Sequence, residues 1–264
     1  MQPLSREKLK MVRKLGSSRK YRLEMRRFIC EGIRLVEEGI SCDCVDYVVV
    51  ADRFKGVETD GSANLRNTTT LEGVSCFSVG DKTFKEISQT QNPQGVLAVC
   101  RMNENVSIDD IKDETTILMC DDVRDPGNLG TIIRTAESAG IDAIVLSENC
   151  VDLYNPKVVR ATMGAILRMP ICVGADLIEV LARGTWRGIA LCGDGELDLY
   201  EADLNGNIAI IVGSEAHGVS EMVVEACAAK VRIPMCAGES LNAAVAAGIV
   251  MYEWRRGQNG QIRK

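Results

Sequence analysis

The chain has 264 residues, 46% of them hydrophobic and 26% charged, a balance that excludes wholesale disorder and fibrous repeats. Its length lies near the limit of a single core, so two modest domains are expected. The net charge of −6 argues against a nucleic-acid binder until the chain is divided: residues 1–34 carry eleven Lys/Arg against three Asp/Glu, a local +8 that leaves −14 on the remainder.

The amino terminus reads MQPLSREKLKMVRKL, with no apolar block after its basic residues. No apolar run nears the roughly 18 residues of a spanning helix, so a cytoplasmic protein with no membrane segment is expected. Leu9, Val12, Arg13 and Gly16 fall at helical spacing. The charged face of such a helix is either simply solvated or set against a phosphate backbone, and in the second case Arg13, Lys14, Arg19, Lys20, Arg22, Arg26 and Arg27 are the candidate nucleic-acid contacts. Residues 28–36 then read as a strand running into a helix, and 46–52, 74–80 and 95–102 as further strands, which makes a small α/β domain over 1–105. The polar stretch NENVSIDDIKDE interrupts the apolar pattern, and 106–114 is the expected linker.

From Thr116 the alternation restarts. Strands TILMCD, AIVLS, MPICV, GIALCGD, NIAIIVGSE and VRIPM alternate with helical patterns at NLGTIIRTAESAG, NPKVVRATMGA, 176–183, VSEMVVEACAA and SLNAAVAAGIVMYEWRR. Apolar strands separated by helices imply a mostly parallel sheet covered on both faces over 115–264, with ligands at the carboxyl ends of the strands.

Three loops follow such strands. In DDVRDPGNLGTIIRTAESAG, Pro126-Gly127 forces a turn, Asn128 is suited to cap the helix, and Arg134 follows less than two turns later. In IIVGSEAHGVS, Gly213 lets a ligand approach the backbone and Glu215 supplies a carboxylate. In IPMCAGESLNAAVAAGIVMYEW, Ser240 is suited to cap the last helix, along which Leu241, Val245, Gly248, Ile249 and Tyr252 share one face. The second loop lacks the G-x-S-x-G of a nucleophile elbow. Gly193-Asp194-Gly195 lacks the third glycine of a dinucleotide site, so an NAD-linked enzyme is disfavoured. The eleven cysteines include no C-x-x-C, several lie within apolar strands, and the single histidine, His217, is expected as a loop residue. Reduced core thiols and no metal site follow.

Taken in order, N-x-G-x-x-x-R-T-A (Asn128 to Ala136), I-V-G-S-E-x-x-G (Ile211 to Gly218) and I-P-M with S-L-N (Ile233 to Asn242) resemble the motifs of the SpoU (TrmH-like) branch of the SPOUT methyltransferases. E-G-x-R-L-V-E-E (Glu31 to Glu38) and N-P-Q-G-V-L-A (Asn92 to Ala98) are similar to pieces of a smaller RNA-binding domain that accompanies them. The resemblance implies an α/β fold with a deep trefoil knot, preceded by a domain like a ribosomal protein. It implies transfer of a methyl group from S-adenosylmethionine to a ribose 2′-hydroxyl of structured RNA, ribosomal RNA in preference to transfer RNA, by a homodimer needing no metal. It further implies cofactor contacts from Cys192, Gly193, Gly213, Ile233, Met235 and Leu241. Arg134 would clamp phosphate and stabilise charge, Asn128 and Asn242 would orient the ribose, the loops or Arg134, Ser240 would add a hydrogen bond, and Glu215 would fix Arg134 or the loop. The alternative is a catalytically silent RNA-binding factor of the same fold.

Overall fold

A computed structural model describes residues 1–54, 70–71, 73–238 and 240–258. In chain order the first part contains β1 (Gln2–Pro3), α1 (Arg6–Ser17), α2 (Arg19–Met25), β2 (Arg27–Glu31), α3 (Ile33–Ser41), β3 (Val45–Ala51), β4 (Thr70–Leu71), β5 (Val74–Val79), α4 (Asp81–Ile87) and β6 (Val96–Arg101). The second contains β7 (Ile117–Cys120), α5 (Pro126–Ala139), β8 (Ala143–Ser147), α6 (Pro156–Ala161), β9 (Ile171–Ala175), α7 (Leu177–Ala182), β10 (Arg187–Leu191), β11 (Leu197–Asp198), β12 (Ile208–Val212), α8 (Glu221–Glu225), β13 (Ala229–Arg232) and α9 (Ala243–Gly257). Two compact units result. One comprises Met1–Asn103 with Tyr154–Arg168, and the other Glu104–Leu153 with the chain from Met169 onward.

The first unit is a mixed sheet in the order β1-β5-β3-β6-β2, with β4 beside β5. Ser5 caps α1 by accepting from the Lys8 N–H, and the helix turns Val12, Leu15 and Gly16 inward. Val12 and Leu15 join Ile29, Tyr47, Val49, Phe84, Ile87, Leu97 and Val99 in one core. The two sequence pieces noted above bond to each other. Gln94 Oε1 accepts from the Ile33 N–H at 2.9 Å, while buried Glu31 accepts from Gln89 N and Thr90 Oγ1, each at 2.7 Å. The stretch 155–165 was expected as a crossover helix of the parallel sheet. It is helical only over Pro156–Ala161, because Met163 (φ 50°) and Gly164 (φ 97°) turn left-handed. It packs on edge strand β2, where Tyr154 meets Phe28.

In the second unit the strand order is β11-β13-β10-β12-β7-β8-β9, and every neighbouring pair is parallel. All four residues of β7 are fully buried, as a sheet covered on both faces requires. Leu177, Val180, Leu181 and Val223 join one core with Ile117, Met119 and Ile211. Helix α9 packs on α5 and β12, burying Ala243, Ala244, Ala247, Val250, Met251 and Trp254. Residues 106–114 contain one 3-10 turn and bury Ile111 in this unit's core. The strand expected at 231–235 ends at Arg232, so Ile233, Pro234 and Met235 leave the sheet. With Cys120 opposite Val212, and Ile211 opposite Ala190, the carboxyl ends of three central strands share one rim.

Candidate active site

Helix α5 begins with Pro126 at its first position, where a missing N–H costs nothing. Its cap is Asp125, which accepts from the Asn128 N–H at 2.8 Å. The expected capping role of Asn128 is therefore incorrect: it lies three residues past the cap, inside the first turn of the helix, and its side chain is left for other work. A similar correction applies to α9. Asn242, not Ser240, is the cap, accepting through Oδ1 from the N–H groups of Ala244 (3.0 Å) and Val245 (3.2 Å).

These two caps fix the sense of a side-chain relay. Because Asn242 Oδ1 is occupied by helix N–H groups, its Nδ2 faces outward and donates to Asn128 Oδ1 at 2.9 Å. Asn128 must then present its own Nδ2 to the next group, and it donates to Glu215 Oε1. An amide has one accepting and one donating end, so each link dictates the next. Glu215 is required as an acceptor. Residues 128, 215 and 242, from three separate loops, form one directed chain, in which Glu215 engages Asn128 rather than Arg134.

Glu215 also belongs to the wall of a cavity of about 150 Å³, together with Leu191, Cys192, Gly193, Val212, Gly213, Ser214, Gly218, Ile233, Met235, Ser240, Leu241, Ala243 and Ala246. All six expected cofactor positions line this cavity, as does Ser240. Its shape depends on Gly213, where a Cβ would stand 1.9 Å from the Gly218 carbonyl carbon. The constraint there comes from the chain's own loop. Ser214 and Gly218 close it by exchanging backbone hydrogen bonds of 3.1 and 2.9 Å. Burial pushes the Cys192 thiol up, and burial with Cys192 nearby pushes Cys227 up to about 12. Neither is poised as a thiolate nucleophile. The apolar walls from Leu191, Val212, Ile233 and Leu241, open glycine backbone at Gly193 and a carboxylate at the mouth fit a nucleoside carrying a positively charged sulfonium.

Arg134 does not line the cavity. Six residues beyond Asn128 amounts to about 600° of helical turn, which puts Arg134 on another side of α5. It is exposed there, and among the described residues its guanidinium has no hydrogen-bond or ion-pair partner. His217 is exposed in the loop, its N–H donating to Ser214 Oγ. The face expected along α9 forms, yet it is turned outward: Val245 is 51% and Tyr252 53% exposed, with Met235 and Leu241 also accessible.

In the first unit the seven candidate RNA contacts separate by environment. Arg22 must be withdrawn. It is 4% exposed and donates to the Leu15 carbonyl at 2.6 Å, so its charge serves the packing of α2 against α1. Arg27 is paired with Asp46, and Arg13 with Glu86 at 2.6 Å. Lys14 lies over the Tyr21 ring, Lys20 approaches Glu24 at 3.9 Å, and Arg19 and Arg26 are exposed.

Two family models cover the chain: the SpoU rRNA Methylase family over residues 115–252, and the MRM3-like substrate binding domain over 6–98. The chain belongs to the SpoU rRNA methylase family. It is 32% identical over 254 residues to the 23S rRNA (guanosine(2553)-2′-O)-methyltransferase RlmP of Bacillus subtilis, covering 94% of this chain and 96% of that one. It is 30% identical over 211 residues to the 23S rRNA (guanosine-2′-O-)-methyltransferase RlmB of Vibrio parahaemolyticus, covering 76% and 85%. Among solved structures, the AdoMet-bound rRNA methyltransferase of Sinorhizobium meliloti superposes with a TM-score of 0.81 at 28% identity, covering 97% of each chain. The α/β-knot fold is therefore the fold of this chain, and its enzyme class is S-adenosylmethionine-dependent RNA 2′-O-methyltransferase. The silent RNA-binding alternative gains nothing from these likenesses.

Two features of the site escaped sequence reasoning. Asp121, whose Oδ2 accepts from the Ser220 N–H at the end of the second loop, is not among the expected residues, although a carboxylate directly after an apolar strand is a signal at a parallel sheet's rim. The relay itself left no trace in any one motif.

Proposed function

We propose that this enzyme methylates a ribose 2′-hydroxyl of ribosomal RNA, with residues 115–264 as catalytic domain, 1–105 as substrate domain and 106–114 as the link. The observation that carries the reading is the Asn242–Asn128–Glu215 relay, which ends in the wall of the cavity. The names of the relatives supply ribosomal RNA as substrate.

S-adenosylmethionine would bring a methyl group on a sulfonium, a leaving group already positively charged, so no metal is needed to drive it off. Cys192, Gly193, Gly213, Ile233, Met235 and Leu241 would hold it, excluding water with apolar walls. The cofactor would supply the methyl group that replaces the proton of the ribose hydroxyl, with the proton passing to solvent, and holding donor and ribose in alignment would supply much of the acceleration. Asn128 and Asn242 hold the loops in register, Ser240 adds a hydrogen bond at the cleft, and Glu215 anchors the relay. Exposed Arg134, with its planar fork of N–H donors, clamps an RNA phosphate and stabilises developing negative charge.

A homodimer and a cytoplasmic setting belong to the same reading. The outward apolar face of α9 supports the first, since a second copy would cover it. Eleven cysteines with no disulfide between them support the second. Among the described residues no helix is long and apolar enough to cross a membrane.

Arg134→Ala tests the role assignment. Transfer to bulk RNA should be abolished while the affinity for S-adenosylmethionine, measured by titration calorimetry, stays that of the parent. Transfer near the parental rate would remove Arg134 from the mechanism.

A further inference from the structure

At the carboxyl end of β7, two successive carboxylates reach in opposite directions along the sheet. Asp122, held left-handed at φ 55°, is linked to the end of β8: its N–H donates to Ser147 Oγ at 2.9 Å, and that hydroxyl donates back to Asp122 Oδ1 at 3.0 Å. Asp121 serves the other neighbour. It is only 7% exposed, its N–H donates to the Val212 carbonyl at 2.9 Å, and its Oδ2 accepts from the Ser220 N–H at 2.8 Å. Burying a carboxylate is costly unless it is hydrogen-bonded, so this acceptor is committed.

The bond lies at a consequential place. The loop from Gly213 to Ser220 leaves β12 at one end, is closed on itself by Ser214 and Gly218, and is fastened at its far end by Asp121. Ser214, Glu215 and Gly218 of that loop line the cavity, and Glu215 receives Asn128. We propose that Asp121 is a positioning residue for methyl transfer, fixing the loop so that the donor cleft and the Glu215–Asn128 bond form together. The proposal rests on the function assigned above.

The opposite end of the same strand provides a control with the same type of bond on an exposed carboxylate. There Asp142 Oδ2 accepts from the Thr116 N–H, also at 2.8 Å, away from the cavity. The donor side can be removed as well: Ser220 has φ −63°, which proline adopts, and proline carries no N–H. The experiment compares Asp121→Ala, Asp121→Asn, Ser220→Pro and Asp142→Ala by calorimetric Kd for S-adenosylhomocysteine, by kcat and KM on ribosomal RNA, and by Tm.

Asp121→Ala and Ser220→Pro should each weaken S-adenosylhomocysteine binding by about tenfold, the scale of one lost charge-assisted hydrogen bond. Both should lower kcat with little change in KM for RNA, and combining them should add nothing further. Asp121→Asn keeps an accepting oxygen and should retain most affinity, whereas Asp142→Ala should lower Tm and leave Kd unaltered. If Asp121→Ala does not fold, Ser220→Pro against Asp142→Ala carries the test. Parental Kd in both Asp121→Ala and Ser220→Pro would overturn the proposal, as would equal loss in Asp142→Ala or no rescue by Asp121→Asn. A parent that binds S-adenosylhomocysteine but transfers nothing to RNA would overturn the substrate assignment alone, because the Kd contrast would still decide for or against Asp121.

Discussion

The rim of the parallel sheet and the basic helices α1 and α2 use polar side chains in opposite ways. At the rim, Asn242, Asn128 and Glu215 spend their hydrogen-bonding capacity on one another, and their orientations follow from two helix caps. Around α1 and α2 the cations that are tied down, Arg22 within α2 and Arg27 at the start of β2, are spent on the fold, while Arg19 on α2 and Arg26 at its carboxyl cap stay exposed. Chemistry requires groups locked in place before the reactants arrive. Binding to a phosphate backbone requires charges that are not already neutralised.

The largest effect that could break this contrast is expected at Asn128. Asn128→Asp would set a carboxylate against Glu215 while leaving the Asp125 cap intact, and should cost about a hundredfold in kcat/KM, the scale of a small misplacement of reacting groups, with little change in Tm. Asn242→Asp sharpens the point. Its carboxylate can still cap α9 but has no donor for Asn128, so activity should fall while helix stability holds. Parental activity in either variant would mean that the relay is architecture only. A smaller, graded effect is expected from Arg19→Ala, Lys20→Ala and Arg26→Ala combined: weaker RNA binding and a salt slope shallower by about one for each phosphate that is no longer neutralised. Arg22→Ala should instead lower Tm, by removing a charged donor from the buried Leu15 carbonyl. A salt slope unchanged in the triple variant would take α2 out of the RNA footprint.

Much of this was legible in the sequence because it was periodic. Apolar runs over 116–121, 143–147 and 207–215 announce a buried parallel sheet, and the three loops carry recognisable spacing. What could not be read was which neighbour each polar residue would choose. Capping is the local use of residues such as Asn128 and Ser240, but Asp125 and Asn242 are the caps. Arg22 weighed the same as its neighbours in the local charge balance, since burial depends on how α2 packs. The helix at 156–161 matched its expected pattern but not its location, because Met163 and Gly164 end it and its packing partner, β2, is more than a hundred residues earlier. Outward-facing Val245 and Tyr252 share their helical spacing with core residues; only their exposure separates the two cases.

The central claim is that the cleft and its relay methylate a ribose of ribosomal RNA. The most direct measurement supplies the purified enzyme with methyl-labelled S-adenosylmethionine and ribosomal RNA from cells lacking the gene, then maps the label by nucleotide. Label on a 2′-oxygen at a defined ribosomal position, absent with Asn128→Asp, is the predicted result. Label on a base, or none on ribosomal RNA despite bound S-adenosylmethionine, would contradict it.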